Sequence, residues 1–257
     1  MAQQQQLHQR QPRTFRERRD FLREYSDSQL IERFRLDRAG ILYVTDLVRD
    51  ALESRTARNK ALSPEMKVAI TLRYLATGKM QLCNSDDFGT SQPTVSRAIT
   101  QTLNALAQRD NFRRFINFPV TQQEVQLKQQ QFMQVAGFPG VVGVVDGTHV
   151  RIVAPREHEA EYVNRKRFHS INVQVVFDAT YRILDIVAKW PGSVNDARVF
   201  NESGLKQLFE RGIVPPGCHM LGDSAYAMKR WLLTPYLRPE PGPQSRYNRY
   251  VCTREFW

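Results

Sequence analysis

The 257 residues, 41% of them hydrophobic, suffice for one large domain or two ordinary ones with a buried core. Lys and Arg number 37 against 26 Asp and Glu, and the resulting +11 favours polyanionic partners, nucleic acid before an anionic membrane surface. Cys83, Cys218 and Cys252 form no CxxC pair, which argues against a cysteine zinc site or a disulfide framework, and no stretch approaches the roughly 18 to 20 apolar residues of a membrane span.

The start lacks the apolar core of a signal peptide, so an intracellular, reducing setting is expected. Residues 1–25 carry a glutamine run and then Arg10, Arg13, Arg16, Arg18, Arg19 and Arg23. This composition predicts a basic, disordered arm, either touching phosphates or simply solvated.

Between residues 26 and 120 apolar positions recur at helical spacing, as in Leu30, Ile31, Phe34 and again in Ile41, Val44, Val48, Leu52, so a small all-helical domain is expected. Ser63-Pro64-Glu65 reads as a helix start and Gly78 as its stop. The stretch Asp86 to Ile99 places a glycine turn before a polar cap and an internal proline, then Val95, Ile99, Leu103 and Leu106 along one face. That grammar predicts a helix-turn-helix whose second helix begins near Gln92 and offers Gln92, Thr94, Ser96 and Arg97 to base edges or phosphates. The same grammar also builds any two packed helices.

Residues 121–139 are glutamine-rich and read as a helical connector, and strand patterning begins at residue 140. Val141 to Val145 is an apolar run that reads as a buried central strand and delivers Asp146-Gly147-Thr148-His149. A hairpin follows, in which Ile171, Val173, Val175 and Phe177 alternate with Asn172 and Gln174, turn at Asp178 to Tyr181 and return through Ile183 to Trp190. Asp178 is assigned to the turn and Asp185 to an exposed face. A helix is expected from Asp196, capped by Ser193 or Asn195, and the strand from Cys218 to Leu221 ends at Gly222-Asp223.

Three strands, a helix, a strand and a helix, with acids on the first strand, the first helix and the fourth strand, is the topology of a ribonuclease-H-like fold. Only such a fold brings Asp146, Asp196 and Asp223 together across their sequence separation. Three converging carboxylates suit Mg²⁺ or Mn²⁺. In a two-metal scheme Asp146 bridges both ions, Asp223 completes one and Asp196 supports the site, making Asp146 and Asp223 the catalytic pair; His149 would orient water or a phosphate. The plainer alternatives are that Asp196 is an N-terminal helix charge and that Asp146 and Asp223 are turn formers. His149, His158 and His169 lack a zinc spacing, and no zinc is expected.

Val145-Asp146-Gly147-Thr148-His149, Tyr162-Val163-Asn164-Arg165-Lys166, Trp190 to Arg198 and Gly222-Asp223-Ser224-Ala225-Tyr226, in this order, resemble motifs of the PIF/Harbinger transposases and of the nucleases derived from them. Leu75 to Gly78 and Ser91 to Arg97 resemble the helix-turn-helix-bearing front half of the same family, so the resemblance covers residues 26–249. It implies an α/β protein with an all-helical N-terminal domain followed, over residues 140–257, by a DDE transposase mixed-sheet domain. It also implies DNA endonuclease chemistry with a divalent metal at Asp146, Asp196 and Asp223, a nuclear setting with some cytoplasmic presence, and a Myb-like DNA-binding partner. In the family the segment resembling Arg246-Tyr247-Asn248 continues into a final helix bearing the glutamate of the DDE set. This sequence stops at Trp257 without it, Glu255 being the nearest carboxylate. The expected function is therefore divalent-metal hydrolysis of DNA phosphodiesters, or the role of an inactive DNA-binding or adaptor descendant. A membrane-surface role lacks an adequate basic amphipathic helix.

Overall fold

A computed structural model describes residues 18–54, 56 and 60–252. The predicted arm up to residue 17, with Arg10, Arg13 and Arg16, and the carboxylate of Glu255 lie outside the described residues. The chain divides into two compact units at residues 112 and 113.

The first unit is helical, as its periodicity requires. Its helices are α1 (Phe21–Glu24), α2 (Asp27–Phe34), α3 (Arg38–Leu52), α4 (Pro64–Thr77), α5 (Gln81–Asp87) and α6 (Gln92–Leu106), with the short α7 (Arg109–Phe115) at the division. Ser26 closes a capping box on α2 with Gln29. Ser63 accepts the Met66 N–H at the start of α4, and Gly78 ends that helix at φ 62°, where a side chain would be strained. Leu30, Ile41, Ile70, Val95 and Ile99 form the core that these helices share.

The second unit opens with α8 (Gln122–Ala136), followed by β1 (Val141–Arg151), β2 (Ser170–Phe177) and β3 (Ile183–Pro191). After these come α9 (Asp196–Asn201), α10 (Gly204–Glu210), β4 (His219–Gly222), β5 (Leu232–Leu233) and α11 (Pro243–Val251). The five strands make one sheet in the order β3-β2-β1-β4-β5. The pairs β3-β2 and β2-β1 are antiparallel, whereas β1-β4 and β4-β5 are parallel. This is the mixed sheet of a ribonuclease-H-like fold, with β1 at its centre. The expected strand and helix order holds with two additions: a second helix, α10, after α9, and β5, two residues long, too short an apolar pair to leave a periodicity to read. The last described helix, α11, contains the Arg246 to Asn248 segment.

Both faces of the sheet are covered. Val142, Val145 and Val176 pack with Phe200, Met220, Tyr226 and Leu232 on one side; Val141, Val144 and Leu221 pack with Phe132 of α8 and Val251 of α11 on the other. The residues read as a connector are thus largely a packed helix, with Val125 and Phe132 fully buried. Coverage on both sides also explains why Asn172 and Gln174, the polar positions of the predicted alternation, are buried instead of solvated.

Asp178 sits in its predicted turn, where its carboxylate accepts the Thr180 and Arg182 N–H groups, yet it is buried. It is paired with Lys128 of α8 at 2.6 Å. Burial alone would raise its pKa, but the Lys128 and Thr180 hydrogen bonds outweigh that and hold the carboxyl below the usual carboxylate range. Asp185 departs from its predicted exposed position: it is half-buried on β3, and desolvation pushes its pKa up.

Lys128→Ala leaves Asp178 buried and uncompensated, so a loss of about 3 kcal/mol in urea unfolding is expected. Because the Asp178 pKa is depressed in the folded state, this contribution is present above the ordinary carboxylate pKa of about 3.9 and is lost as pH falls through the folded value. The difference between wild type and variant should therefore shrink in strong acid.

Candidate metal centre

Asp146 lies within β1, which runs unbroken through it to Arg151. Parallel pairing sets Val145 opposite Gly222, the last residue of β4, so Asp146 on β1 and Asp223, the first residue beyond β4, each follow directly from this paired position. Neighbouring strands lie about 4.8 Å apart. Each carboxylate is fixed by its own backbone: Asp146 Oδ1 accepts the Gly147 N–H at 2.8 Å, and Asp223 Oδ1 accepts the Ala225 N–H at 2.9 Å.

Asp196 reaches the same region from the first residue of α9. Of the two expected caps, Asn195 is the one used, its side chain accepting the Arg198 N–H. Asp196 is also more than a helix-terminal charge. Asn172 on β2 donates one amide hydrogen to Asp196 Oδ1 and another to the Val194 carbonyl, each at 2.8 Å. This buried amide ties the acid and the chain leading to it onto the sheet. Gly147 allows the approach, since a Cβ built there would collide with the Asp196 carboxylate.

The electrostatics report the convergence of the three acids. Asp146 is exposed at the surface, yet the protein around it partly desolvates its carboxylate, which is the main reason that its pKa is raised; the Gly147 N–H opposes this, and the charges of Asp223 and Asp196 add to it. Tyr226, buried and edge-to-face on Phe200 at 5.6 Å, has its phenol pushed far above the ordinary range by burial and then by Asp196, Asp146 and Asp223. Among the described residues, the Tyr226 hydroxyl has no hydrogen-bond partner, and no Lys or Arg forms an ion pair with any of the three acids. Equally, no three His, Cys, Asp or Glu side chains among the described residues stand close enough to hold one ion.

His149, three residues beyond Asp146, bonds through Nδ1 to the Ser170 hydroxyl at 3.1 Å, and Ser170 in turn accepts from Asn164 at 2.9 Å. Nothing in the sequence motifs marks Asn172 as part of this site. Its only signal is a polar residue at a strand position that a covered sheet would bury.

The other predicted site residues lie on the first unit. The α5-turn-α6 arrangement has the expected helix-turn-helix connectivity, with Gly89 at φ 58° in the turn. Gln92 and Arg97 are exposed, Thr94 and Ser96 are half-buried, and Val95, Ala98 and Ile99 face the core. Gln92 donates to Gln81 of α5 at 2.8 Å, and the Thr94 and Ser91 hydroxyls share a hydrogen bond at 2.9 Å.

Comparison with known proteins gives a consistent result. The family described as DDE superfamily endonuclease matches residues 145–254. The Mus musculus protein named "Putative nuclease HARBI1" is 37% identical over 228 residues, which are 89% of this chain and 64% of that protein. The Homo sapiens protein of the same name is 36% identical over 227 residues, 88% of this chain and 64% of that one. The Arabidopsis thaliana "Protein ALP1-like" is 28% identical over 236 residues, covering 84% and 57% respectively. The chain thus spans just under two thirds of the length of the HARBI1 relatives. No solved structure matches it significantly.

Two substitutions separate charge from space in this cluster. Asp146→Asn removes a desolvated, repelled charge and should raise the melting temperature in EDTA, whereas Gly147→Ala forces Asp196 away and should lower it. For a chain of this size each kcal/mol corresponds to about 2–4 °C. Thermal unfolding followed by circular dichroism reads both signs.

Proposed function

We propose, from the match to the DDE superfamily endonuclease family over residues 145–254 and the likeness to the HARBI1 relatives, that the chain is a transposase-derived nuclease hydrolysing DNA phosphodiester bonds with a divalent metal. The observation that carries this reading is that Asp146 on β1, Asp196 on α9 and Asp223 just beyond β4 act on one another and on Tyr226 electrostatically, with no Lys or Arg among the described residues ion-paired to any of them. An all-oxygen, uniformly anionic donor set fits Mg²⁺ or Mn²⁺, and the upward push on the Asp146 pKa is what a bound cation would relieve.

In this reading Asp146 and Asp223 hold the ion from the sheet, and Asp196, positioned by Asn172, supports it from α9. Such an ion supplies Lewis-acid activation of water and neutralises charge at the scissile phosphate. His149, steadied by Ser170, orients the attacking water or a phosphate oxygen. The first turn of α6, with Gln92, Thr94, Ser96 and Arg97, contributes DNA contacts, and the chain acts in the nucleus. No described helix is long and apolar enough to cross a membrane.

A second reading, a DNA-binding or adaptor descendant without catalysis, is favoured by the carboxylates standing too far apart to hold an ion as they are. Nicking of supercoiled plasmid in Mn²⁺ separates the two. The nuclease reading expects nicking by the wild-type chain that disappears in EDTA and in the Asp146→Ala/Asp223→Ala double variant. Nicking that persists in the double variant overturns the assignment, and DNA binding without nicking selects the adaptor.

A further inference from the structure

We propose that the turn Arg165-Lys166-Arg167, between β1 and β2, is a preformed grip for the phosphodiester backbone of the strand presented to the acid cluster; this rests on the reading of that cluster as a phosphodiester site. The three cations are consecutive and exposed. Among the described residues none of them is in an ion pair. The nearest acids in the sequence are engaged elsewhere, Glu159 with His169 at 3.0 Å and Glu161 with His158 at 3.3 Å.

The turn is held from beneath by Asn164, which is 4% exposed. Its Oδ1 accepts the Lys166 N–H at 2.9 Å and the Phe168 N–H at 3.3 Å, and its Nδ2 donates to Ser170 Oγ at 2.9 Å. The Asn164 N–H donates to the Phe168 carbonyl at 3.1 Å, and its carbonyl accepts the Arg167 N–H at 2.9 Å, with Arg167 at φ 60°. A buried side-chain amide that spends its oxygen on two backbone N–H groups of a tight turn and its NH₂ on Ser170 leaves the turn's three long side chains outside. Three like charges brought together without carboxylate partners destabilise the free turn, and a polyanion is the ligand that reverses the sign of that interaction.

The placement is what makes the grip relevant to cleavage. Ser170, the anchor of Asn164, also holds His149 and lies two residues from Asn172, which holds Asp196. Arg151, stacked on Phe168 at 4.4 Å, continues the basic surface back along β1. It is five residues from Asp146, about 17 Å of strand. A DNA strand carries one charge per about 3.4 Å of helix axis, so Asp146 and Arg151 are separated by the reach of about five nucleotides. Arg and Lys there contact phosphate oxygens and set the register of the strand without reading its sequence.

The test is binding of a fluorescein-labelled DNA duplex by the full chain in EDTA, followed by anisotropy over a series of salt concentrations. Removing three phosphate contacts with Arg165→Gln, Lys166→Gln and Arg167→Asn should lower the slope of log K against log salt by about 2 to 3 and weaken binding at least tenfold near 0.1 M salt, on the order of 0.9 slope units per contact. The asparagine preserves the left-handed backbone at position 167. A second triple variant, Arg182→Gln, Arg211→Gln and Arg238→Gln, removes the same charge from exposed positions elsewhere and should leave affinity and slope much nearer to wild type. Equal losses in the two triples, or none in either, overturn the grip while leaving the nuclease reading intact if wild type still nicks plasmid. A wild-type chain that neither binds duplex nor nicks plasmid overturns both.

Discussion

Like carboxylates repel, and the repulsion among Asp146, Asp196 and Asp223 is the constraint around which the second unit is arranged. Two of the acids follow directly from the Val145 and Gly222 pairing, Asp146 continuing β1 and Asp223 opening the turn after β4. The third is delivered by a helix of six residues, whose Val199 and Phe200 are buried. A glycine on the sheet makes the room, and a buried asparagine supplies the hydrogen bond. On the proposed reading, these acids, supported among the described residues by neutral donors and not by Lys or Arg, would leave their charge to a cation.

The scaffold makes that arrangement affordable. A mixed sheet covered on both faces supplies a rigid centre, with Val141, Val142, Val144 and Val145 of β1 fully buried. The far edge of the sheet is secured to α8 by the Lys128 and Asp178 pair, a buried ion pair whose remaining carboxylate lone pairs are taken up by its own turn. Packing therefore fixes the strands, and the strands fix the acids. Tyr226 shows how close the two layers lie, because its ring belongs to the core while its pKa senses all three carboxylates.

Much of this was legible in the sequence where local chemistry decides structure. The apolar run into Asp146, the alternation from Ile171 to Phe177, Ser63 and Gly78 as helix punctuation, and the short strand ending at Asp223 all appear as read. What escaped depends on neighbours remote in the chain. The burial of Asn172 and Gln174 follows from a second covering layer, and the Lys128 partner of Asp178 lies 50 residues away. Asp185 reads as solvent-facing by alternation but is half-buried in the sheet. The grip turn belongs to the same class: Asn164 reads as one polar residue among several until the strand that it braces is in place.

The most direct test of the account is the Mn²⁺ binding isotherm, measured by electron paramagnetic resonance of the free ion, for the wild-type chain and for Asp146→Asn, Asp196→Asn and Asp223→Asn. A cation site shared by the three acids requires saturable binding by wild type, weakened by each substitution, with Asp196→Asn affected although it lies on a helix and not on the sheet. Binding of equal strength in all four proteins, or none in wild type, would contradict a shared cation site built from these three residues.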